Sequence, residues 1–309
     1  MSLLKFCGRR LEKVNTQAPR SNRRAVARVT GTAITALLCL AAARAAAADA
    51  AQWRQQQWLI PSAEAKVEMR TVALLPPGRG PFPLAVINHG TTENEEERAQ
   101  YPAPKFDVVA SWLIARGYAV VLPQRPGHGE TGGPYLESTG SCDHAHYAEA
   151  GYGAADSIQT AIDYALRQPF AKPEGVVVVG HSAGAWGALA LTSRNPHSVA
   201  GVVNFSGGLG GHSYGDANRN CAPDRLVDAA ATYGRTAKAP TLWLYSANDS
   251  YFGPDLSKRM ADAFRSAGGR ADYRLLPPVG DEGHALVYSR AAVRWWGPIV
   301  EKFLTTLRQ

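Results

Sequence analysis

A serine becomes a nucleophile only when its hydroxyl is held clear of its own backbone and within reach of a base that an acid orients. Gly180-His181-Ser182-Ala183-Gly184 has the first property in its residue types. It reads G-x-S-x-G, four valines (176–179) run into it, and a helical pattern over 183–194 follows. In a strand–turn–helix setting the glycines permit a turn so tight that a side chain at 180 or 184 would strike neighbouring backbone. Ser182 is then forced to the apex, exposed and strained, and is the candidate nucleophile.

Three histidines follow Ser182 in the chain: His197, His212 and His284. His197 follows an Asn-Pro helix end and enters a strand, on the wrong side of a sheet to meet Ser182. His212 lies in a Gly-rich stretch. His284 hangs in the loop after the last strand pattern, so it is the candidate base. Asp249 stands directly after a strand pattern and is the candidate acid, giving the chain order Ser, acid, His. Asp281 is nearer His284 in sequence, but a carboxylate three residues away on one loop points poorly at the ring and suits a cap or solvent. Asp255 is a weaker choice, at a helix start. The oxyanion of a tetrahedral intermediate needs two N–H donors. Ala183, at a helix N-terminus, supplies one. Thr91, in the loop His89-Gly90-Thr91-Thr92, supplies the other, and His89 is read as structural.

These residues need a frame that brings loops from distant positions to one place. Apolar runs suited to strands fall at 59–75 (two strands, broken at 61–63), 84–88, 118–122, 176–179, 199–205, 241–245 and 272–276. Helical patterns fall at 106–116, 152–166, 183–194, 255–267 and 298–307. Strands alternating with helices predict an α/β fold, a mostly parallel sheet covered by helices on both faces. Ligands of such sheets bind beyond the carboxyl ends of the strands, where all the candidates above lie. Residues 207–238, Gly-rich and then helical, are expected to form a small cap segment over the site. Tyr135, Tyr147 and Tyr251 lie on loops and are candidate substrate contacts.

The net charge of +7 invites a nucleic-acid partner, but its distribution removes the invitation. Residues 1–50 hold nine of the 33 Lys and Arg and two of the 26 Asp and Glu, so residues 51–309 carry 24 of each sign. A balanced body has no electrostatic reason to seek DNA or RNA. With 45% apolar and 19% charged residues the chain is too apolar for disorder, and no run of about 20 apolar residues suggests stable membrane insertion. The leader itself has the pattern of a secretory signal peptide: Arg20, Arg23, Arg24 and Arg28, then an apolar run at 33–43, then A-x-A sites ending at Ala48 or Ala50. It predicts export, to a periplasm or beyond. Cys7 and Cys39 would leave with the leader. Cys142 and Cys221 would remain in an oxidising compartment, where an even pair favours a disulfide worth about 3–5 kcal/mol in the chain-entropy model.

The elbow residues 180–184, the His89-Gly90 loop, Asn248-Asp249 and Gly283-His284 together resemble the α/β-hydrolase superfamily over residues 60–307. Arg125-Pro126-Gly127-His128-Gly129, with Asn248-Asp249-Ser250 and Phe252-Gly253-Pro254, look most like the dienelactone-hydrolase-like esterases. The resemblance implies the α/β-hydrolase fold, acyl transfer to water, a small-molecule or polymer ester as partner, and neither metal nor organic cofactor. It also implies nucleophile, base and acid roles for Ser182, His284 and Asp249. Dienelactone hydrolases proper use a cysteine nucleophile; Ser182 therefore points to a general carboxylesterase, with a peptidase or acyltransferase as the alternative. A non-catalytic exported binding protein is disfavoured because all three triad positions are filled. Asp143-His144-Ala145-His146 offers two close imidazoles but no third metal ligand, and the acidic run 93–97 lacks EF-hand spacing.

Overall fold

The valine run 176–179 marks the centre of the sheet. Every residue of strand β5 (Val176–His181) is buried. Successive side chains point to opposite faces of a strand, and here they enter two separate cores: Val176 and Val178 join one, Val177 and Val179 the other. A strand that is apolar at every position is what a sheet covered on both faces demands.

The computed structural model describes residues 53–64 and 66–308. The predicted leader, residues 1–50, lies outside the described residues. Around β5 stand β1 (Arg54–Pro61), β2 (Glu68–Leu75), β3 (Leu84–Asn88), β4 (Ala119–Pro123), β6 (Val199–Phe205), β7 (Thr241–Ser246) and β8 (Ala271–Leu276). They form one eight-stranded sheet in the order β1-β2-β4-β3-β5-β6-β7-β8. β2 pairs antiparallel with β1 and β4; all other pairs are parallel. Helices α3 (Tyr147–Leu166), α4 (Ala183–Thr192), α5 (Pro223–Gly234) and α6 (Pro254–Ser266) bury their apolar sides in the first core. Helices α2 (Asp107–Ile114) and α7 (Val293–Thr306) bury theirs in the second. A short helix α1 (Glu95–Ala99) tops the loop after β3. Among the described residues no helix is long and apolar enough to cross a membrane.

Three elements depart from the sequence expectations, each for a physical reason. β1 begins at Arg54, through the polar run Gln55-Gln56-Gln57, because an edge strand is held by backbone pairing with β2 and needs no apolar alternation. α3 begins at Tyr147 rather than 152. Its glycines look like breakers, but a Cβ at Gly151 would meet the Tyr233 hydroxyl at 2.1 Å and one at Gly153 the Leu136 carbonyl at 1.9 Å. α7 begins at Val293, so Pro298 lies inside the helix instead of opening it. The acidic run 93–97 is exposed and its glutamates open α1, with the Asn94 side chain accepting from Glu97 N at 3.1 Å and three glutamates in the first turn, where the helix dipole favours them.

The helix carrying Ser182 at its start is buried on all sides, between the sheet and α3. Gly187 is where α4 and α3 approach, and a Cβ there would lie 2.4 Å from the Ala154 Cβ. In an exposed helix Gly→Ala stabilises. Here Gly187→Ala should reverse that sign and cost about 1–3 kcal/mol through overpacking, read as a lower urea midpoint at unchanged m-value.

Candidate active site

β5 enters the turn with Ser182 at φ 54°, ψ −125°, a conformation costing about 1–3 kcal/mol in a non-glycine residue. Close approaches on both sides leave no room to relax. A Cβ at Gly180 would sit 2.3 Å from the Ala185 Cα, and one at Gly184 would sit 2.3 Å from the Asn88 carbonyl oxygen and 2.4 Å from that of His89. Ser182 N donates to Phe205 O at 3.1 Å, and Ser182 O accepts from Gly208 N at 3.3 Å. The turn is thereby bound to the end of β6, and Ser182 faces a cleft.

Asp249 and His284 are brought together from the loops after β7 and β8. His284 Nδ1 lies 3.2 and 3.3 Å from the two Asp249 carboxylate oxygens. Asp249 Oδ1 also accepts from Tyr251 N and Phe252 N, each at 2.9 Å. Burial opposes the charge of this carboxylate, but the hydrogen bond and charge of His284 and the Phe252 amide outweigh it, so its pKa falls below the ordinary range. With Nδ1–H donating to Asp249, the Nε2 lone pair of His284 is left for a proton. The Ser182 hydroxyl has no hydrogen-bond partner among the described residues. Its neighbour His181 makes the link instead: His181 Nε2–H donates to His284 O at 2.9 Å, with ring centroids 4.8 Å apart.

Two residues to which the sequence reading gave no role hold these loops in register. Asn248 Oδ1 accepts from Val279 N at 2.8 Å and Ser246 Oγ at 2.7 Å, and Asn248 Nδ2 donates to Gly280 O at 3.1 Å. A Cβ at Gly283 would lie 2.5 Å from Asn248 Oδ1, so the glycine before His284 is a packing requirement. Glu282 Oε1 accepts from His284 N at 2.8 Å and Ser250 N at 3.1 Å. The capping carboxylate of this loop is thus Glu282, while Asp281, read as a cap or solvated, is exposed. The signal was present in the acid beside His284, but not which of two neighbours would turn inward.

The loop after β3 lies against Ser182: a Cβ at Gly90 would be 3.1 Å from the Ser182 Cβ. Thr91 lines the same cleft as Ser182. The Thr91 amide has no acceptor among the described residues, and Ala183, as first residue of α4, has no intrahelical acceptor for its own. His89 is structural as expected: its Nδ1 donates to Gly90 O at 2.6 Å and its Nε2 accepts from Arg125 N at 3.0 Å. Burial, and then the Arg125 charge, push its pKa well below the ordinary value. His128 anchors Thr91, with Nε2 2.7 Å from Thr91 Oγ1 and Nδ1 3.1 Å from Pro126 O.

The family model of the dienelactone hydrolase family matches residues 101–292, a span that contains Ser182, Asp249 and His284. The chain belongs to the dienelactone hydrolase family. Its fold is the α/β-hydrolase fold, as solved structures also bear out. A Klebsiella pneumoniae protein assigned as a dienelactone hydrolase is similar at 17% identity, covering 83% of this chain and 99% of that one, with a TM-score of 0.55. An esterase from Pyrococcus furiosus is similar at 13% identity over 92% and 98% of the two chains, TM-score 0.58. An acylaminoacyl peptidase from Pyrococcus horikoshii is similar at 16% identity, covering 82% of this chain and 41% of its own, TM-score 0.59. No curated protein matches the sequence.

In this dienelactone hydrolase family member the cleft over Ser182 has a volume of about 940 Å³. Thr91 to Asn94 form one wall, residues 208–215 another, and Tyr251 with Phe252 a third. Of the three tyrosines proposed as substrate contacts, only Tyr251 lines it. Tyr147 is corrected: it is buried in the core, and its hydroxyl donates to the Cys221 carbonyl. Its position at the start of α3, not in a loop, turns it inward. Tyr135 packs under Arg98, whose guanidinium lies 3.8 Å from the ring centroid, outside the cleft. Cys142 and Cys221 form a disulfide at the cleft wall. The segment 207–238 divides. Its first part lines the cleft, whereas α5 buries Leu226, Ala229, Ala230 and Tyr233 against helices α3, α4 and α6, and none of its residues lines the cleft. Among the described residues no group of three or more His, Cys, Asp or Glu side chains is placed to hold a metal.

Burial, and then the His284 charge, lower the His181 pKa from 6.5 to about 3. Between those values the unfolded chain binds a proton that the folded one refuses. The neutral ring therefore contributes stability above pH 6.5 that is lost as pH falls toward 3. In urea titrations from pH 6.5 to 4.5, His181→Gln, which keeps a donor toward His284 O, should flatten the wild-type decline by up to about 1.4 kcal/mol per pH unit. Equal slopes in both proteins would contradict this.

Proposed function

We propose that this family member is a serine hydrolase that cleaves carboxylic esters through Ser182, His284 and Asp249. The observation that carries the reading is the His284 Nδ1–Asp249 pairing at 3.2 Å beside a serine held at φ 54° on the strand–helix turn. In the first half-reaction His284 Nε2 takes the hydroxyl proton as Ser182 Oγ attacks the ester carbonyl. The Thr91 and Ala183 amides receive the oxyanion, and Asp249 stabilises the imidazolium. The carbonyl–alkoxy bond then breaks, and the alcohol departs with the proton from His284. In the second, a water gives its proton to His284 and attacks the acyl-enzyme, releasing the acid and restoring Ser182. The Ser182–His284 hydrogen bond closes as substrate binds, since catalytic contacts tighten in the Michaelis complex.

Of the tyrosines read as substrate contacts, Tyr251 is the one beside the cleft, where only its rim is left to meet substrate because its faces are stacked on His284 and His212. Export is proposed from the leader pattern in residues 1–50 together with the Cys142–Cys221 bond, since disulfides persist in oxidising compartments.

A fluorophosphonate probe should label the wild-type protein at Ser182. Ser182→Ala should keep the wild-type melting point while losing label and about 10⁴–10⁶ in turnover of p-nitrophenyl esters. Undiminished turnover in that variant would end the reading, and faster cleavage of aminoacyl amides than of matched esters would move it to a peptidase.

A further inference from the structure

The imidazole of His284 is one of three stacked rings. Tyr251 lies on it with centroids 4.2 Å apart and planes 23° from parallel. His212 lies on the other face of Tyr251 at 3.5 Å and 11°. We propose that Tyr251, clamped by His212, is a positioning residue for His284: its ring holds the imidazole in line with Asp249, and its π face attracts the positive charge the imidazole acquires when it takes a proton. The inference rests on His284 acting as the base.

The clamp is built from several directions. Ser250 Oγ has one proton, and it donates to Glu282 Oε2. Burial opposes the charge of Glu282, but the Ser250 hydroxyl and the His284 and Ser250 amides outweigh it and keep the group ionised and accepting. His212 Nε2, 2.7 Å from Ser250 Oγ, must therefore be the donor in that bond, which fixes its proton there. The chain around His212 is pressed flat on Tyr251, for a Cβ at Gly211 would lie 3.0 Å from the Tyr251 Cβ. Asn220 Nδ2 donates to Tyr251 O, and Asn218 N donates to Ser250 O at 2.8 Å. Cys221 N donates to Gly210 O at 2.8 Å, so the Cys142–Cys221 bond secures the strand of loop that carries His212.

Few charges compete at His284. Asp249 takes its Nδ1, Glu282 takes its backbone amide, and His181, 4.8 Å away, is held neutral by burial. Phe252, at 5.5 Å, is apolar. Tyr251 is the remaining face, and a cation over an aromatic face is attracted by the ring quadrupole.

Hydrolysis of p-nitrophenyl acetate separates this role from packing and from substrate contact. Tyr251→Leu should lower kcat about tenfold with KM changed less than about twofold, and should move the acid limb of the kcat/KM profile to lower pH by about half to one unit. Tyr251→Phe, which keeps the ring, should recover most of that loss. His212→Ala should lower kcat several-fold, and adding it to Tyr251→Leu should cost little more, because both act through one ring. Equal losses in the Leu and Phe variants, a loss confined to KM, an unmoved acid limb or additive effects of the pair would each overturn the proposal. If wild type is labelled at Ser182 and Tyr251→Leu matches it in every parameter, this inference alone fails. If wild type takes no label and cleaves no ester, the hydrolase reading beneath it fails.

Discussion

The close approach of β5 and β3 at their carboxyl ends is the constraint on which the rest of this protein depends. The two strands are parallel neighbours, with Asn88 opposite Gly180. Gly184 presses on the Asn88 and His89 carbonyls, so the start of α4 and the loop after β3 meet backbone to backbone. No side chain separates them, and the Ala183 and Thr91 amides are delivered to one region by the sheet itself. The strain at Ser182 persists because Gly180, Gly184, Gly208 and Phe205 leave the chain no other path. A larger residue at 180 or 184 would have to push apart strands that are buried along their whole length, so the elbow is over-determined by the core beneath it.

Asp249 and His284 come from a second region, the loops after β7 and β8, and their coupling is polar rather than steric. Asn248 spends its side-chain amide on the loop that carries His284, and Glu282 returns the favour by accepting amides from both loops. The two loops are thus tied together by hydrogen bonds in both directions even though 35 residues separate Asp249 from His284. The unit also holds its charges in a useful order. Asp249 stays ionised under burial because three N–H groups point at it, and that fixed negative charge is what an imidazole needs when it becomes cationic in a water-poor site.

Much of this was legible in the residues because it depends on local geometry or on chain order. G-x-S-x-G after four valines announces a turn that only glycines permit, and Asp249 and His284 stand at the ends of apolar runs. What was not legible depends on which way a side chain turns once the layers pack. Tyr147 looked like a loop residue until α3 began five residues earlier than its pattern suggested, over glycines made necessary by Tyr233 and Leu136. Residues 207–238 looked like one cap because glycines precede a helix. The helix is amphipathic and has a core to cover, so it left the cleft to the glycines. Glu282 has no motif, and Asn248 entered the resemblance only as the neighbour of Asp249; each acts through backbone groups of another loop, which residue type alone does not announce.

Three buried histidines around the cleft act as neutral hydrogen-bonding brackets. His89, His128 and His181 each donate from one ring nitrogen to a backbone carbonyl, and their other nitrogens face the Arg125 amide, the Thr91 hydroxyl and the Tyr288 hydroxyl respectively. A neutral imidazole is well suited to this, since it offers one donor and one acceptor on opposite edges of a rigid ring. Burial keeps all three pKa values low, which preserves that pairing at neutral pH. Were any of them protonated, its acceptor edge would become a second donor facing an N–H or O–H, and a loop at the cleft would lose its anchor. The same ring that is proposed as a base at position 284 is a neutral bracket at 89, 128 and 181, and the difference lies in the partner. Only His284 has a buried carboxylate at Nδ1, and only there is a positive ring compensated.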